Sequence, residues 1–318
     1  MKKVLITGGA GFIGSHLCDA LIAKGYYVVC VDNLQRGDKD NIKHLENVED
    51  FKFVYLDVNE TEKLTDLLKK EQIEKVYHLA ANTDLWESMK NPSIEDECTF
   101  STTKSLLIAM VNANVHDLFF ASTSAIYGND NGKAFSENDL LMPISYYGAA
   151  KMASEAYIYA YAFMNDIKTV MFRFSNIIGS RMTHGVIRDF IERLLDDPTH
   201  LDVRGNGYQT KPFLHVSDLI KAITMDVNCS ELINIFNVGS VTETNVRYIA
   251  DGVVKEMGLE GIPIRYEESE GGWKGDVSKY SYNVDKIKSL GWDISMTSDE
   301  TVSKAVSELY IDALNRRK

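Results

Sequence analysis

Two residues four apart could carry proton chemistry: Tyr147 and Lys151, in the run Tyr147-Gly-Ala-Ala-Lys151. On a helix, positions i and i+4 share one face. A free tyrosine has a pKa near 10 and is a poor base at neutral pH. A nearby ammonium stabilises the phenolate, so Tyr147 could take a proton from a hydroxyl as hydride leaves the same carbon. The spacing alone proves little, since Tyr282 and Lys286 repeat it. Context separates the two. Tyr147 follows an apolar run ending in Ser122-Thr123-Ser124-Ala125-Ile126-Tyr127-Gly128, and strand ends of this kind face the ligand in open α/β sheets. Thr123 could share the proton through a short hydrogen bond; Ser124 is its neighbouring candidate and Ser122 a weaker one. Tyr282 has no such strand before it and reads as coincidence.

The second constellation is Thr7-Gly-Gly-Ala-Gly-Phe-Ile-Gly14. Gly9, Gly11 and Gly14 satisfy G-x-G-x-x-G, with Gly8 opening a wider spacing. The loop follows a short apolar run and precedes a helical pattern, the setting that gives the fingerprint meaning. Glycines let the backbone approach a pyrophosphate, and the helix N-terminus supplies N–H groups and partial positive charge. Asp32 ends the next apolar run, where a carboxylate accepts from ribose hydroxyls and favours NAD over NADP. Arg36, close by, keeps an NADP reading open. Asp57 ends the third run, within reach of an adenine amino group.

These loops need a scaffold, and the first half of the chain supplies its rhythm. Val4–Thr7, Tyr27–Val31, Phe51–Leu56, Lys75–Ala80, Leu118–Ala121 and Thr169–Phe174 read as short buried strands. Helices are expected at Phe12–Lys24, Glu60–Lys70, Pro92–Asn114 and Tyr147–Met164. Such alternation implies βαβ units and a parallel sheet. The fold class is α/β: a Rossmann-type doubly wound parallel sheet with a smaller α/β C-terminal substrate domain. The expected domains are 1–175, with a returning segment at about 213–240, and 176–212 with 241–318. After Asn176 glycines interrupt the rhythm, with helices expected near 185–195, 217–227, 244–257 and 299–313.

Length and composition agree. The chain has 318 residues, 45% apolar and 25% charged, which suits a globular enzyme of one large or two unequal domains. Its formal net charge of −12 makes nucleic acid and anionic membranes poor partners. The phosphates of a nucleotide must then be held by local dipoles. No apolar stretch has the length of a signal-peptide core or of a membrane helix. Cys18, Cys30, Cys98 and Cys229 lie at no metal or redox spacing and suit a reducing compartment. The cytoplasm is the expected location and no metal is expected. His16, His78, His215, Trp273 and Trp292 read as packing residues.

Together these residues resemble the extended short-chain dehydrogenase/reductase family, specifically its nucleotide-sugar epimerases and dehydratases. The resemblance rests on Thr7–Gly14, Val31-Asp32-Asn33-Leu34, His78-Leu79-Ala80-Ala81, Ser122–Gly128, Tyr147–Lys151, Arg173-Phe174-Ser175-Asn176 and the stretch Gly205–Asp218. It implies a tightly bound NAD, held by Gly8, Gly11, Phe12, Ile13, Gly14, Asp32, Asn33, Asp57, Val58, Leu79, Ala80, Ala81, Tyr147 and Lys151. It implies catalysis by Thr123, Tyr147 and Lys151, and substrate contacts from Thr123, Ser124, Tyr147, Asn176, Lys211 and Tyr280. It also implies a homodimer paired through helices near 93–113 and 147–164.

Dehydratases of the family carry an acid pair or a single Glu after the position of Thr123; this chain has Ser124-Ala125. The pattern is closer to the UDP-glucose 4-epimerases of archaeal type, also by His184–Ile187 and Gly272–Val277. A nucleotide sugar, UDP-linked, is the expected substrate, epimerised at C4 through a 4-keto intermediate. A net 4-oxidoreductase, a 4,6-dehydratase and an NAD-sensing binding protein are the alternatives. Lys211 stands where many relatives have arginine, Trp273 where bacterial epimerases often have arginine, Thr83 where many have lysine, and Cys98 where asparagine is frequent.

Overall fold

The computed structural model describes residues 1–129, 133–227, 231–269, 277 and 280–317. Cys229, Trp273 and the Gly272–Val277 stretch, apart from Val277, lie outside the described residues. The elements begin β1 (Lys3–Thr7), α1 (Phe12–Ala23), β2 (Tyr27–Asp32), β3 (Phe51–Tyr55), α2 (Thr61–Glu71) and β4 (Lys75–His78). Then come α3 (Leu85–Lys90), α4 (Ser93–Glu95), α5 (Ser101–Ala113), β5 (Asp117–Thr123), α6 (Tyr146–Asn165) and β6 (Lys168–Phe174). There follow β7 (Asn176–Ile178), α7 (Val186–Asp196), β8 (Leu201–Val203), β9 (Thr210–Lys211), β10 (Phe213–His215), α8 (Val216–Ile223) and β11 (Ile233–Val238). The chain closes with β12 (Thr244–Asn245), α9 (Val246–Glu256), β13 (Ile264–Tyr266), α10 (Asp285–Lys288) and α11 (Ser298–Arg316).

Seven strands form one sheet in the order β11-β6-β5-β4-β1-β2-β3. The pairs from β6 across to β3 are parallel. The order reverses between β4 and β1, the switch point at which open α/β sheets bind ligands. Register places Thr7 opposite Val31 and His78, so the C-terminal strand ends line up there.

Side-chain alternation explains the sheet's two faces. On β5, Leu118 and Phe120 point into a core shared with Leu64, Leu68, Leu106, Met110 and Ile158 of α2, α5 and α6. Phe119 points the other way, 5.6 Å from Tyr77 and 5.1 Å from Phe172 between ring centroids.

Contacts divide the chain into two compact units: 1–128, 140–174 and 223–236 in the first; 129–139, 175–222 and 237–318 in the second. The expected first domain of 1–175 with 213–240 differs from this in two places. The stretch 129–139 clusters with the second unit, where Phe135 bridges Tyr282. The returning segment narrows to 223–236. The second unit has its own core, in which Phe190, Ile191, Val253, Val302 and Leu309 of α7, α9 and α11 meet. The helix expected over Pro92–Asn114 runs without interruption from Ser93 to Ala113 and includes a π turn over Asp96–Phe100, whereas the helix expected at 217–227 ends at Ile223. Among the described residues no helix is long and apolar enough to cross a membrane.

Candidate active site

The glycine loop follows from close approach. A Cβ on Gly14 would meet the Gly8 carbonyl oxygen and lie 2.8 Å from Gly9 Cα. Only hydrogen fits there, so α1 starts directly against the loop and its free N–H groups are left for an anion. Asp32 is buried at the end of β2. Its Oδ2 accepts from Ala10 N at 3.0 Å and its Oδ1 from Leu34 N at 2.8 Å. Burial pushes this carboxyl up, while those two N–H groups pull it back down. Each oxygen keeps a lone pair for a hydroxyl donor.

Asp57 is tied to Asn33, whose Nδ2 donates to Oδ2 at 2.9 Å, and its Oδ1 takes Asn59 N at 2.8 Å. Val58 is buried beside it. The Arg36 guanidinium is drawn to Asp84 at 3.4 Å and to Glu87 on α3. A 2′-phosphate would have to compete with both carboxylates, so the geometry fits NAD. Beyond β4, Leu79 N and Ala80 N both donate to Thr7 Oγ1 at 3.3 Å, which fixes the Leu79–Ala81 loop next to the glycines.

The Tyr147 helix starts where the sequence dictates. Ser145 caps α6 by accepting from Gly148 N at 3.1 Å. A Cβ on Gly148 would meet the Ala125 carbonyl, so the first turn of α6 presses against the 3-10 turn Ser124–Ile126. This brings Tyr147 to Thr123, and the two side chains are hydrogen-bonded. Tyr147 as a whole is half-buried, and its phenol is desolvated. That desolvation pushes the phenol well above its ordinary value; Glu95 pushes it further and the Thr123 hydrogen bond opposes both. Lys151 is buried. Its Nζ donates to Ala121 O at 2.9 Å and stands 4.7 Å over the Phe120 ring. Burial brings its pKa down to about 8, against the pull of Glu95 and Glu155.

Three buried groups lie near this pair: the sequence marks His78 as a packing residue and Arg173 only within a family motif, and it does not single out Glu95. Arg173 donates through Nε and Nη2 to Glu155 at 3.1 and 2.7 Å and through Nη1 to Tyr127 at 2.9 Å. Ser122 donates to the same carboxylate. The cluster ties α6 to β5 and β6 one residue before Thr123. His78 joins Thr7 Oγ1 at 2.7 Å and Thr103 Oγ1 at 3.1 Å. Burial lowers it to about 3, so it stays neutral. Glu95 is the third, and one signal could have found it: Glu95, Thr99, Thr103, Leu106 and Met110 form a single buried stripe at helical spacing.

In the second unit Asn176 Nδ2 donates to the Tyr280 hydroxyl at 3.0 Å, and the Tyr280 ring stacks on Phe135 at 5.8 Å. Lys211 sits on β9, opposite Thr244 of β12. Tyr282 is buried against Tyr280, and Lys286 is exposed on α10. His215 meets Glu308 at 3.1 Å, and Trp292 donates to Asp218 O at 3.0 Å.

Known proteins are similar to this chain over nearly its whole length. A putative UDP-glucose 4-epimerase of Methanocaldococcus jannaschii is 32% identical over 309 residues, covering 96% of this chain and 97% of its own. The dTDP-D-glucose 4,6-dehydratase of Homo sapiens is 27% identical, over 96% of this chain and 89% of its own. The crystal structure of a UDP-glucuronic acid 4-epimerase from Bacillus cereus, in complex with UDP-glucuronic acid and NAD, superposes with a TM-score of 0.87 at 28% identity. It covers 98% of this chain and 99% of that one. The family described as GDP-mannose 4,6 dehydratase matches residues 5–305. With the glycine loop after β1, the acid that ends β2 and the Tyr–Lys pair against β5, that match places the chain in this family of extended short-chain dehydrogenase/reductases, the nucleotide-sugar epimerases and dehydratases.

Proposed function

We propose that the chain is an NAD-dependent 4-epimerase of a UDP-linked sugar. The observation that carries the reading is the Thr123–Tyr147–Lys151 constellation with Ser124 and Ala125, and no carboxylate, in the turn after β5. NAD supplies the hydride acceptor, which takes hydride from the sugar C4 and later returns it. Gly8, Gly11, Phe12, Ile13 and Gly14 receive its pyrophosphate, and Asp32 receives the adenosine ribose. Asn33, Asp57 and Val58 border the adenine, and Leu79–Ala81 border the nicotinamide half. Tyr147 takes the proton of the sugar 4-hydroxyl and gives it back, with Thr123 sharing it. Lys151 steadies the phenolate and holds the nicotinamide ribose. Ser124 contacts the sugar, and Asn176, Lys211 and Tyr280 hold the nucleotide diphosphate. Return of hydride to the other face of the 4-keto ring inverts C4 with no net redox change.

A homodimer fits the surface of α5 and α6, where Val111, Tyr157, Tyr159, Phe163 and Met164 are exposed large apolar residues. Apolar patches of this kind mark association faces.

The test is incubation of the purified protein with UDP-galactose, UDP-glucose and their N-acetyl and uronic acid forms, with C4 configuration followed by NMR. Interconversion of one C4 pair without change at the nicotinamide band is expected. Net NADH formation would make it an oxidoreductase, a 4-keto-6-deoxy product a dehydratase, and NAD binding without turnover a sensor; each refutes the proposal. Tyr147→Phe should lose at least about 100-fold in rate and keep its NAD.

A further inference from the structure

The turn after β5 carries Thr123 and Ser124, and one buried ion pair holds both of its ends. At the near end, Ser122 Oγ donates to Glu155 of α6. At the far end, Tyr127 accepts Arg173 Nη1 on its hydroxyl at 2.9 Å, and the guanidinium carbon lies 5.1 Å from its ring centroid. Arg173, on β6, joins the two ends: it donates to Glu155 through Nε at 3.1 Å and through Nη2 at 2.7 Å. None of Ser122, Tyr127, Glu155 and Arg173 is more than 6% exposed.

The same contacts set the helix against the strand. Tyr147, Lys151 and Glu155 follow one another at intervals of four along one face of α6. Lys151 Nζ donates to Ala121 O at 2.9 Å, and Glu155 holds the next residue of β5, Ser122. Two successive turns of α6 are therefore bonded to two successive residues of β5, and the turn before them brings Tyr147 to Thr123. Thr123 Oγ1 also accepts from Ala125 N at 3.2 Å, so its hydroxyl moves with the turn.

Stability is a poor reason for an ion pair at this place. Taking two charges out of water offsets much of their attraction, and well-packed apolar side chains of similar volume are often as stable or more so. What the charges add is direction. The guanidinium is a planar fork of fixed donors and the carboxylate a pair of acceptors. An apolar pair would fill the same space without fixing Ser122 or Tyr127.

We propose that Glu155 and Arg173 are positioning residues: the pair fixes the Ser122–Tyr127 turn against α6, so that Thr123 and Ser124 stand in register with Tyr147 and Lys151. Both act through the turn and not on the reacting atoms. The inference rests on Thr123 and Tyr147 being the proton-transfer pair.

The test uses the full chain with NAD bound. Glu155→Met with Arg173→Met removes both charges at similar volume. Ser122→Ala leaves the ion pair and removes one tether. Crystal structures of wild type and both variants are compared for the Thr123–Tyr147 hydrogen bond, and turnover of a UDP-sugar C4 pair is separated into kcat and KM. The double variant should melt close to wild type, lose the Thr123–Tyr147 bond, and lose about 10- to 100-fold in kcat with KM nearly unchanged. Ser122→Ala should change in the same direction by a smaller step. A double variant that keeps the Thr123–Tyr147 bond, or keeps wild-type kcat, overturns the proposal. Should the double variant fail to fold, Ser122→Ala decides: unchanged turn geometry and kcat there overturn it. Absence of turnover in wild type would defeat the epimerase reading alone, and the crystal structures would still decide the positioning.

Discussion

Gly14→Ala tests the phosphate loop with two effects of opposite sign. Alanine is favoured over glycine inside a helix by about 1 kcal/mol, so α1 by itself should gain stability. The new Cβ, however, would meet Gly8 O and lie 2.8 Å from Gly9 Cα and 2.9 Å from the Gly8 carbonyl carbon. All three are backbone atoms, and no side chain can rotate away. Restoring ordinary contact moves the loop by roughly 1 Å, which takes an N–H···phosphate bond of about 2.8 Å out of range. A hydrogen bond to a charged group contributes about 1.5–3 kcal/mol. Loss of one weakens NAD binding roughly 10- to 150-fold. Isothermal titration of the cofactor-stripped protein with NAD reads this directly. Gly252→Ala on α9 is the control: its Cβ would meet nothing within 4 Å. That variant should bind NAD as wild type does and melt about 1–2 °C higher. Gly14→Ala binding NAD within threefold of wild type would refute the close-approach argument.

Three further outcomes follow from the buried charges. Arg173→Met strands the Glu155 carboxylate and should cost about 3–5 kcal/mol in denaturant unfolding; Arg173→Met with Glu155→Met should recover most of it. No recovery would mean that the pair acts through shape. His78 holds its proton only below about 3 when folded, against 6.5 when unfolded, so stability is full above 6.5 and falls as the pH drops. About 2 kcal/mol should be lost between pH 7 and pH 5, and His78→Gln should flatten that slope; a slope left intact assigns it elsewhere. Lys151 runs the other way. The unfolded chain keeps its proton to 10.5 while the fold releases it near 8. Between pH 8 and 9.5 the fold should therefore gain about 1.5 kcal/mol as turnover falls, and Lys151→Met should show neither trend.

Sequence reading reached the residues whose chemistry is local. Gly14, Asp32 and the Tyr147–Lys151 spacing are constrained by backbone approach or by one helical turn, and such constraints are written in neighbouring residues. Ser145 before Tyr146 likewise marks its own helix start. The π turn inside Pro92–Asn114 was not legible, because an extra residue in a helical turn leaves no mark on composition. The inward choice among Glu95, Asp96 and Glu97 shows only in the spacing of Glu95 to Thr99, Thr103 and Leu106. Three adjacent acids look alike, and only the first is buried. What selects it is the set of donors waiting there, Asn82, Ser88 and Thr99, contributed by a loop, another helix and the next turn. The Arg173–Glu155–Ser122 cluster has the same origin: three strands and helices that meet only in the fold.

Glu95 also bears on which reaction the site can run. Elimination of water across a sugar ring needs an acid delivered to the departing hydroxyl, and the family's dehydratases place it after the position of Thr123. Here that turn holds Ser124 and Ala125. Glu95, buried at the end of α4, is a substitute to consider. Its lone pairs already serve Asn82, Ser88 and Thr99, and it is buried. To protonate a leaving group it would have to take up a proton and give up those hydrogen bonds. The Tyr147 proton and a returning hydride require no such movement.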